Sequence, residues 1–157
     1  MRRITVVTST LLLALALSLS SALAANPHYM DGPNFTVDTV NNTVNATGDI
    51  AGLGNENIDV ELIADYTAAI ECTNKGSHYV PAQDVEGSTS GVQTDIEPKN
   101  GRATFDVTTD PATVTGTPRK VGCPNNNWSY TADITFVSAT LNVYQDGELV
   151  LSDTFPL

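Results

Sequence analysis

The stretch Ile58 to Cys72, with the sequence IDVELIADYTAAIEC, decides the fold class of this chain. Every even-numbered position in it is apolar, whereas most odd-numbered positions are acidic or polar. A period of two is typical of a β-strand with one face on a core and the other face in water. Because the run is long for a single strand, we expect a bend or a β-bulge near Asp65.

Shorter segments on both sides of this stretch indicate further strands. The polar segment from Val85 to Ile96 is typical of a weak edge strand. Three turn signals separate alternating segments elsewhere: Asn41-Asn42, Asn100-Gly101 and Asp146-Gly147. Asp-Gly between two apolar runs is a strong signal for a two-residue hairpin, so we expect one near the end of the chain.

The last third of the chain contains a change of phase. Its apolar residues occupy even positions from Trp128 to Phe136 and odd positions from Val137 to Val143. Such a change within one run indicates either a β-bulge or a strand that crosses from one sheet to the other.

These patterns predict an all-β protein, an antiparallel two-sheet β-sandwich of about seven to nine strands. Residues 25–157 are enough for one such domain and too few for two. The domain is immunoglobulin-like at most, because Trp128 follows the second cysteine, whereas immunoglobulin domains place a Trp between their two cysteines.

Residues 1–24 are predicted to be a secretory signal peptide. Arg2 and Arg3 provide a positive start, an apolar run extends to Leu17, and Ala22-Leu23-Ala24 is a small-residue cleavage signature. A transmembrane anchor is the alternative, but the apolar run is too short to cross about 30 Å of hydrocarbon. We therefore expect a secreted protein, extracellular or in the cell envelope, without a membrane anchor.

The charge of the chain excludes two classes of partner. The full sequence has 7 Lys and Arg against 18 Asp and Glu, a net charge of −11. Without Arg2 and Arg3, the chain has five Lys and Arg against 18 Asp and Glu, which gives a net charge of −13. The basic surface required for nucleic acid or for anionic membranes is absent. We expect an acidic monomer.

The two cysteines, Cys72 and Cys123, predict one disulfide, because an even number in an exported chain is normally paired. The alternative, a metal site, lacks a C-x-x-C spacing and a nearby pair of histidines. We therefore predict no metal and no cofactor.

Three of the five remaining basic residues lie within four positions of a cysteine, together with several aromatic side chains. The disulfide would collect this set at one end of the sandwich, as a binding end: Lys75, His78, Tyr79, Arg119, Lys120 and Trp128. Loops on a rigid scaffold often bind ligands, so this end could recognise an anionic or sugar ligand. The alternative is that the basic residues are ordinary exposed loop residues without a ligand and that Trp128 belongs to the core.

Other motifs support no catalytic assignment. Asp59 and Glu61 lie about 7 Å apart on one strand face, a spacing that suits an inverting glycosidase but also an ordinary solvated face. The segment Gly87 to Gly91 resembles a nucleophile elbow only superficially, because Thr occupies the central position. His28 follows Pro27, which lacks the amide needed for an N-terminal copper site.

Several turn motifs resemble those of a broad group of small exported bacterial proteins. The similar segments are Ala51-Gly-Leu-Gly-Asn55, Glu71-Cys-Thr-Asn-Lys-Gly76, Val80-Pro-Ala-Gln83, Pro98-Lys-Asn-Gly101 and Cys123 to Trp128. The resemblance implies an immunoglobulin-like sandwich with one disulfide. It gives no information about activity.

The expected function is non-catalytic binding or surface interaction outside the cell, with an extracellular glycan, a cell-wall polymer or a protein as partner. Two alternatives remain open. One is an extracellular polymer hydrolase, and the other is a protease-inhibitor-like module with a reactive loop between Cys72 and Pro81.

Overall fold

The computed structural model describes residues 26–157, and in this range the chain forms eight strands and no helix. The predicted signal peptide, residues 1–24, lies outside the described residues. The strands are β1 (His28–Asp38), β2 (Thr43–Ala51), β3 (Ile58–Thr73), β4 (Tyr79–Pro81), β5 (Val85–Ile96), β6 (Arg102–Thr108), β7 (Ser129–Gln145) and β8 (Glu148–Pro156). The all-β prediction is confirmed. No helix within 26–157 has the length and apolar character to span a membrane.

The strands form two antiparallel sheets. One sheet has the order β1-β2-β6. In the other, β3 pairs along one edge with β7, which in turn pairs with β8, while β5 and β4 share the other edge of β3. The predicted two-sheet architecture is confirmed, and so is the edge position of β5.

The central strand β3 follows the alternation of its sequence. All even-numbered side chains from Ile58 to Cys72 are buried, and those at odd positions are half-buried or exposed. They pack with side chains of the smaller sheet, including Ile50 and Phe105, in one contiguous hydrophobic cluster. Removal of this apolar surface from water is what holds the two sheets face to face.

The change of phase in the last third of the chain is a β-bulge. Strand β7 pairs with β3 along its whole length, and Ser138 lies opposite Asp65 while Phe136 lies opposite Tyr66. Val137 is therefore an extra residue on β7, and it is 48% exposed. The irregularity occurs at Asp65, as predicted, but the inserted residue belongs to the partner strand.

The three predicted turns are all present. The first turn joins β1 to β2, and Asp38 accepts hydrogen bonds there from the backbone N–H groups of Val40 and Asn41 at 2.9 and 3.0 Å. A further hydrogen bond from the Asn41 side chain is the main reason why the pKa of Asp38 is lowered.

The other two turns are two-residue turns with the same backbone conformation. The φ angles are 55° and 74° at Asn100 and Gly101, and 53° and 75° at Asp146 and Gly147. Positive φ at both central residues defines the type I′ turn, whose twist matches that of the flanking strands.

An aromatic cluster joins β1 to β8 at one side of the sandwich. The ring centroid of Phe155 lies 6.0 Å from that of Tyr29 and 5.4 Å from that of Phe35. Burial raises the pKa of Tyr29 to about 12, and the nearby Asp153 carboxylate adds to this effect. The Tyr29 hydroxyl has no hydrogen-bond partner among residues 26–157.

Candidate functional site

Cys72 and Cys123 form the predicted disulfide, with their Cα atoms 5.7 Å apart. Cys72 lies near the end of β3, and Cys123 lies in the loop that leads from β6 to β7. The bond therefore ties a loop to the end of the larger sheet, whereas the disulfide of antibody domains connects two strands across the sandwich. The immunoglobulin-like subtype stays a prediction.

The first loop at the disulfide end is a compact turn stabilised by Asn74. The Asn74 side-chain oxygen accepts hydrogen bonds from the backbone N–H groups of Gly76 and His78 at 2.8 and 3.0 Å. The Asn74 backbone N–H also donates to the carbonyl of His78. Lys75 and His78 are thus exposed on a turn with a defined backbone, as an Asx-turn provides.

The second loop carries Arg119 and Lys120 next to the other cysteine. The Lys120 backbone N–H donates to the carbonyl of Thr117 at 2.8 Å, and Cys123 donates to Pro118 at 2.8 Å. Both basic side chains are exposed. The covalent bond and these hydrogen bonds place them at the same end of the domain as Lys75.

The two aromatic residues predicted at this end differ in their surroundings. Tyr79 on β4 is 63% exposed, which is a large apolar surface for one residue. Trp128 is half-buried and packs against the hydrophobic core. Trp128 therefore fits the core interpretation, and Tyr79 is the exposed aromatic side chain of the predicted set.

A cleft of about 410 Å³ opens on the outer face of the larger sheet near Tyr79. Its lining residues are Ala69, Ile70, Glu71, Pro81, Thr131, Ala132 and Asp133. Pro81 lies directly opposite Glu71, and Tyr79 is two positions from Pro81 along β4. Side chains two apart on a strand share a face, so Tyr79 lies on the same face as Pro81, although it does not itself line the cleft. We call this cleft the Tyr79 cleft.

The Tyr79 cleft combines hydrogen-bond acceptors with an apolar border. Thr131 lies opposite Glu71 and Asp133 lies opposite Ala69, so both carboxylates and the threonine hydroxyl are on one face. Ionised carboxylates only accept hydrogen bonds, whereas a hydroxyl both donates and accepts. This chemistry suits a ligand that carries many hydroxyl groups.

Sequence reasoning missed the residues that line the Tyr79 cleft. The alternation of β3 and β7 does place Glu71, Thr131 and Asp133 on outward positions. Their adjacency depends on which residue of β7 pairs with which residue of β3. This register shifts by one residue at the Val137 bulge, so the sequence of either strand alone does not predict it. The basic residues that were predicted do not line the cleft but occupy the two loops beyond it.

The predicted carboxylate pair is engaged in hydrogen bonds across the larger sheet. Asp59 accepts from the backbone N–H of Asp95 at 2.9 Å. Glu61 accepts from the Asn142 side chain at 3.0 Å and from the Tyr144 hydroxyl at 3.1 Å, which raises the pKa of Tyr144. These contacts support the strand-face interpretation of the pair.

The segment Gly87 to Gly91 lies inside the regular strand β5. A β-carbon at Gly87 would be 2.5 Å from the Tyr66 hydroxyl oxygen, so this glycine permits close packing of the Tyr66 ring. Residues 26–157 contain no group of three or more His, Cys, Asp or Glu that could hold a metal ion.

The fold and site define an all-β, two-sheet domain with one disulfide and an open polar cleft on its larger sheet. Comparisons with protein-family models, with curated proteins and with solved structures give no match to this chain. The resemblance to small exported bacterial proteins therefore stays a prediction beyond its fold and its disulfide.

Proposed function

We propose that this protein is an exported, non-catalytic binding domain that recognises a hydroxyl-rich extracellular glycan in the Tyr79 cleft. The observation that carries the proposal is the exposed Tyr79 ring beside a cleft with Glu71, Asp133 and Thr131. The disulfide supports export, because such bonds persist in oxidising compartments.

The proposed binding mode follows from the chemistry of sugars. The apolar C–H face of a sugar ring packs on the flat Tyr79 side chain, and ring hydroxyls donate to Glu71 and Asp133. Binding sites of this kind combine apolar surface with a few polar groups that fix orientation. The cations of the adjoining loops, such as Lys75, offset the two carboxylates, so weakly acidic glycans are also accepted.

The test is a binding screen of the mature protein against soluble glycans and cell-wall polymers, read by isothermal calorimetry and by retention on immobilised polymer. We expect at least one glycan to bind. Tyr79→Ala should weaken that binding about tenfold or more, while Tyr79→Phe should retain it. Asp133→Asn should also weaken it, because a strong acceptor is replaced.

Val92→Ala is the matched control, since Val92 is exposed on the same sheet and does not line the cleft. It should bind like the wild type. Binding that is insensitive to both Tyr79→Ala and Asp133→Asn would contradict the assignment of the cleft. Release of new reducing ends from a bound glycan would contradict the non-catalytic part and favour the hydrolase alternative.

A further inference from the structure

The basic residues of the described chain occupy two opposite ends of the domain. Lys75, Arg119 and Lys120 lie at the disulfide end, whereas Lys99 and Arg102 flank the Asn100-Gly101 turn. Strand β3 connects the two ends: Cys72 is near the disulfide end, and Ile58 pairs with Ile96, just before that turn. At about 3.3 Å per residue, Ile58 and Cys72 are roughly 46 Å apart.

The turn pairs Lys99 with Arg102 on its backbone, and the Arg102 guanidinium donates to the Sδ of Met30 at 2.6 Å. Lys99 donates its backbone N–H to Arg102 at 2.7 Å and accepts the N–H of Arg102 at 3.2 Å. Residues paired directly across a ladder share a face, with Cβ atoms about 4.5–5.5 Å apart. The turn is fixed in place by a hydrogen bond from the Leu53 N–H to the Gly101 carbonyl.

Lys99 and Arg102 line the same cleft as the carboxylates of Asp49 and Glu97, so both signs of charge are present in it. An oxyanion that reaches both Lys99 and Arg102 would accept charge-assisted hydrogen bonds, which are stronger than neutral ones. Lys99 and Arg102 therefore offer hydrogen-bond donors to the anionic group of a ligand that also carries hydroxyl groups for the two carboxylates.

These cations line an open cleft of about 490 Å³. Its lining residues are Asp49, Ile96, Glu97, Lys99, Arg102, Ala103 and Thr104. The Asp49 carboxylate accepts a hydrogen bond from the Thr104 hydroxyl at 2.5 Å. Ile96 and Ala103 add apolar surface, so the cleft has a cationic corner, two carboxylate acceptors and an apolar wall.

We infer that this second cleft binds a small ligand with an oxyanion on a hydroxylated body, as in a sugar acid or a sugar phosphate. The oxyanion pairs with Lys99 and Arg102, while hydroxyl groups of the ligand donate to Asp49 and Glu97. The two carboxylates disfavour a bare anion, because they repel it without gaining a hydrogen bond. This site is separate from the Tyr79 cleft and does not depend on it.

The experiment titrates the ¹⁵N-labelled mature protein with glucuronate and, separately, with glucose 6-phosphate, and follows the backbone amides by two-dimensional NMR. We expect saturable shifts of the amides in residues 96–104 with at least one of the two ligands. Glucose, acetate and inorganic phosphate should bind about tenfold more weakly or not at all. The two ligand arms distinguish a carboxylate from a phosphate as the preferred oxyanion.

Lys99→Gln and Arg102→Gln should each weaken binding about tenfold or more, with the spectrum of a folded protein retained. Lys75→Gln removes the same charge at the other end and should leave the affinity unchanged. No shifts in residues 96–104, equal binding of phosphate alone, or wild-type affinity in both cleft variants would overturn the inference. Tyr79→Ala should not change this titration, so failure here is distinguishable from failure of the proposed function.

Discussion

Gly91 on β5 lies directly against the backbone carbonyl of Thr108 at the end of β6. A β-carbon built on Gly91 would overlap the Thr108 carbonyl oxygen and lie 2.7 Å from its carbonyl carbon. Close by, the Asp110 N–H donates to the Ser90 carbonyl at 2.9 Å, and the Gln93 side chain accepts from the Asp106 N–H at 2.8 Å. These contacts close one side of the sandwich and satisfy backbone groups at the free edge of β6.

Gly91→Ala should therefore destabilise the fold. Because the obstructing atoms belong to the backbone, the two strands must separate, and we expect the free energy of unfolding to fall by about 1–3 kcal/mol or more. Urea denaturation of the mature protein measures this change. Gly76→Ala is the control, because its nearest neighbour is the Asn74 side chain at 3.3 Å, and an equal loss there would contradict the explanation.

Deletion of Val137 should be tolerated. Without this residue, Phe136 points inward, Ser138 outward and Ala139 inward, so β7 keeps its alternation without a bulge. We expect a folded protein whose unfolding midpoint is only modestly lowered. Circular dichroism and urea denaturation provide the measurement.

Deletion of Asn142 is the matched control for this prediction. It would turn Val143 outward and Tyr144 inward, because a shift of one residue exchanges the two faces of a strand. This variant should lose far more stability than the Val137 deletion. The bulge assignment would be wrong if the two deletions cost the same.

The disulfide should contribute substantially to stability. The two cysteines are 51 positions apart, and the chain-entropy relation for a loop of that size gives about 4 kcal/mol as an upper figure. Replacement of Cys72 and Cys123 by Ala should lower the urea midpoint accordingly. Intact mass before and after reduction should differ by two hydrogens, and a mass with two free thiols before reduction would contradict the bond.

Tyr29 should make the folded state sensitive to alkaline pH. In the unfolded chain a tyrosine titrates near pH 10, whereas burial raises the pKa of Tyr29 to about 12. Between these values the folded protein retains a proton that the unfolded chain has lost, so stability falls as pH rises from about 10 to 12. Tyr29→Phe should make this decrease shallower in urea titrations over that range.

At neutral pH the same Tyr29→Phe variant should be as stable as the wild type or slightly more stable. Its hydroxyl is buried without a partner among residues 26–157, so its removal costs no hydrogen bond there. Tyr130→Phe is the control, because the Tyr130 hydroxyl donates to the Val114 carbonyl at 3.0 Å. The free energy of unfolding of Tyr130→Phe should be lower than that of the wild type by about 1 kcal/mol. An equal change in the free energy of unfolding of the two variants would contradict the prediction.

Strands and turns could be predicted because they depend on neighbours in sequence. The alternation from Ile58 to Cys72 requires one buried and one exposed face, and Asn100-Gly101 and Asp146-Gly147 adopt positive φ at little cost. The change of phase at Val137 left a bulge and a sheet crossing open. Only the continuous pairing of β7 with β3 decided in favour of the bulge.

The sequence by itself determined the all-β class, the turns and the outward position of residues such as Glu71 and Asp133. The tertiary structure alone decided which outward residues became neighbours, because strand register places side chains from distant parts of the chain next to each other. It also decided that Trp128 packs on the core while Tyr79 is exposed. The alternation of apolar and polar residues predicts which face of a strand a residue occupies. Which residues of two strands lie next to each other depends on how the strands pair, and the local sequence does not encode this pairing.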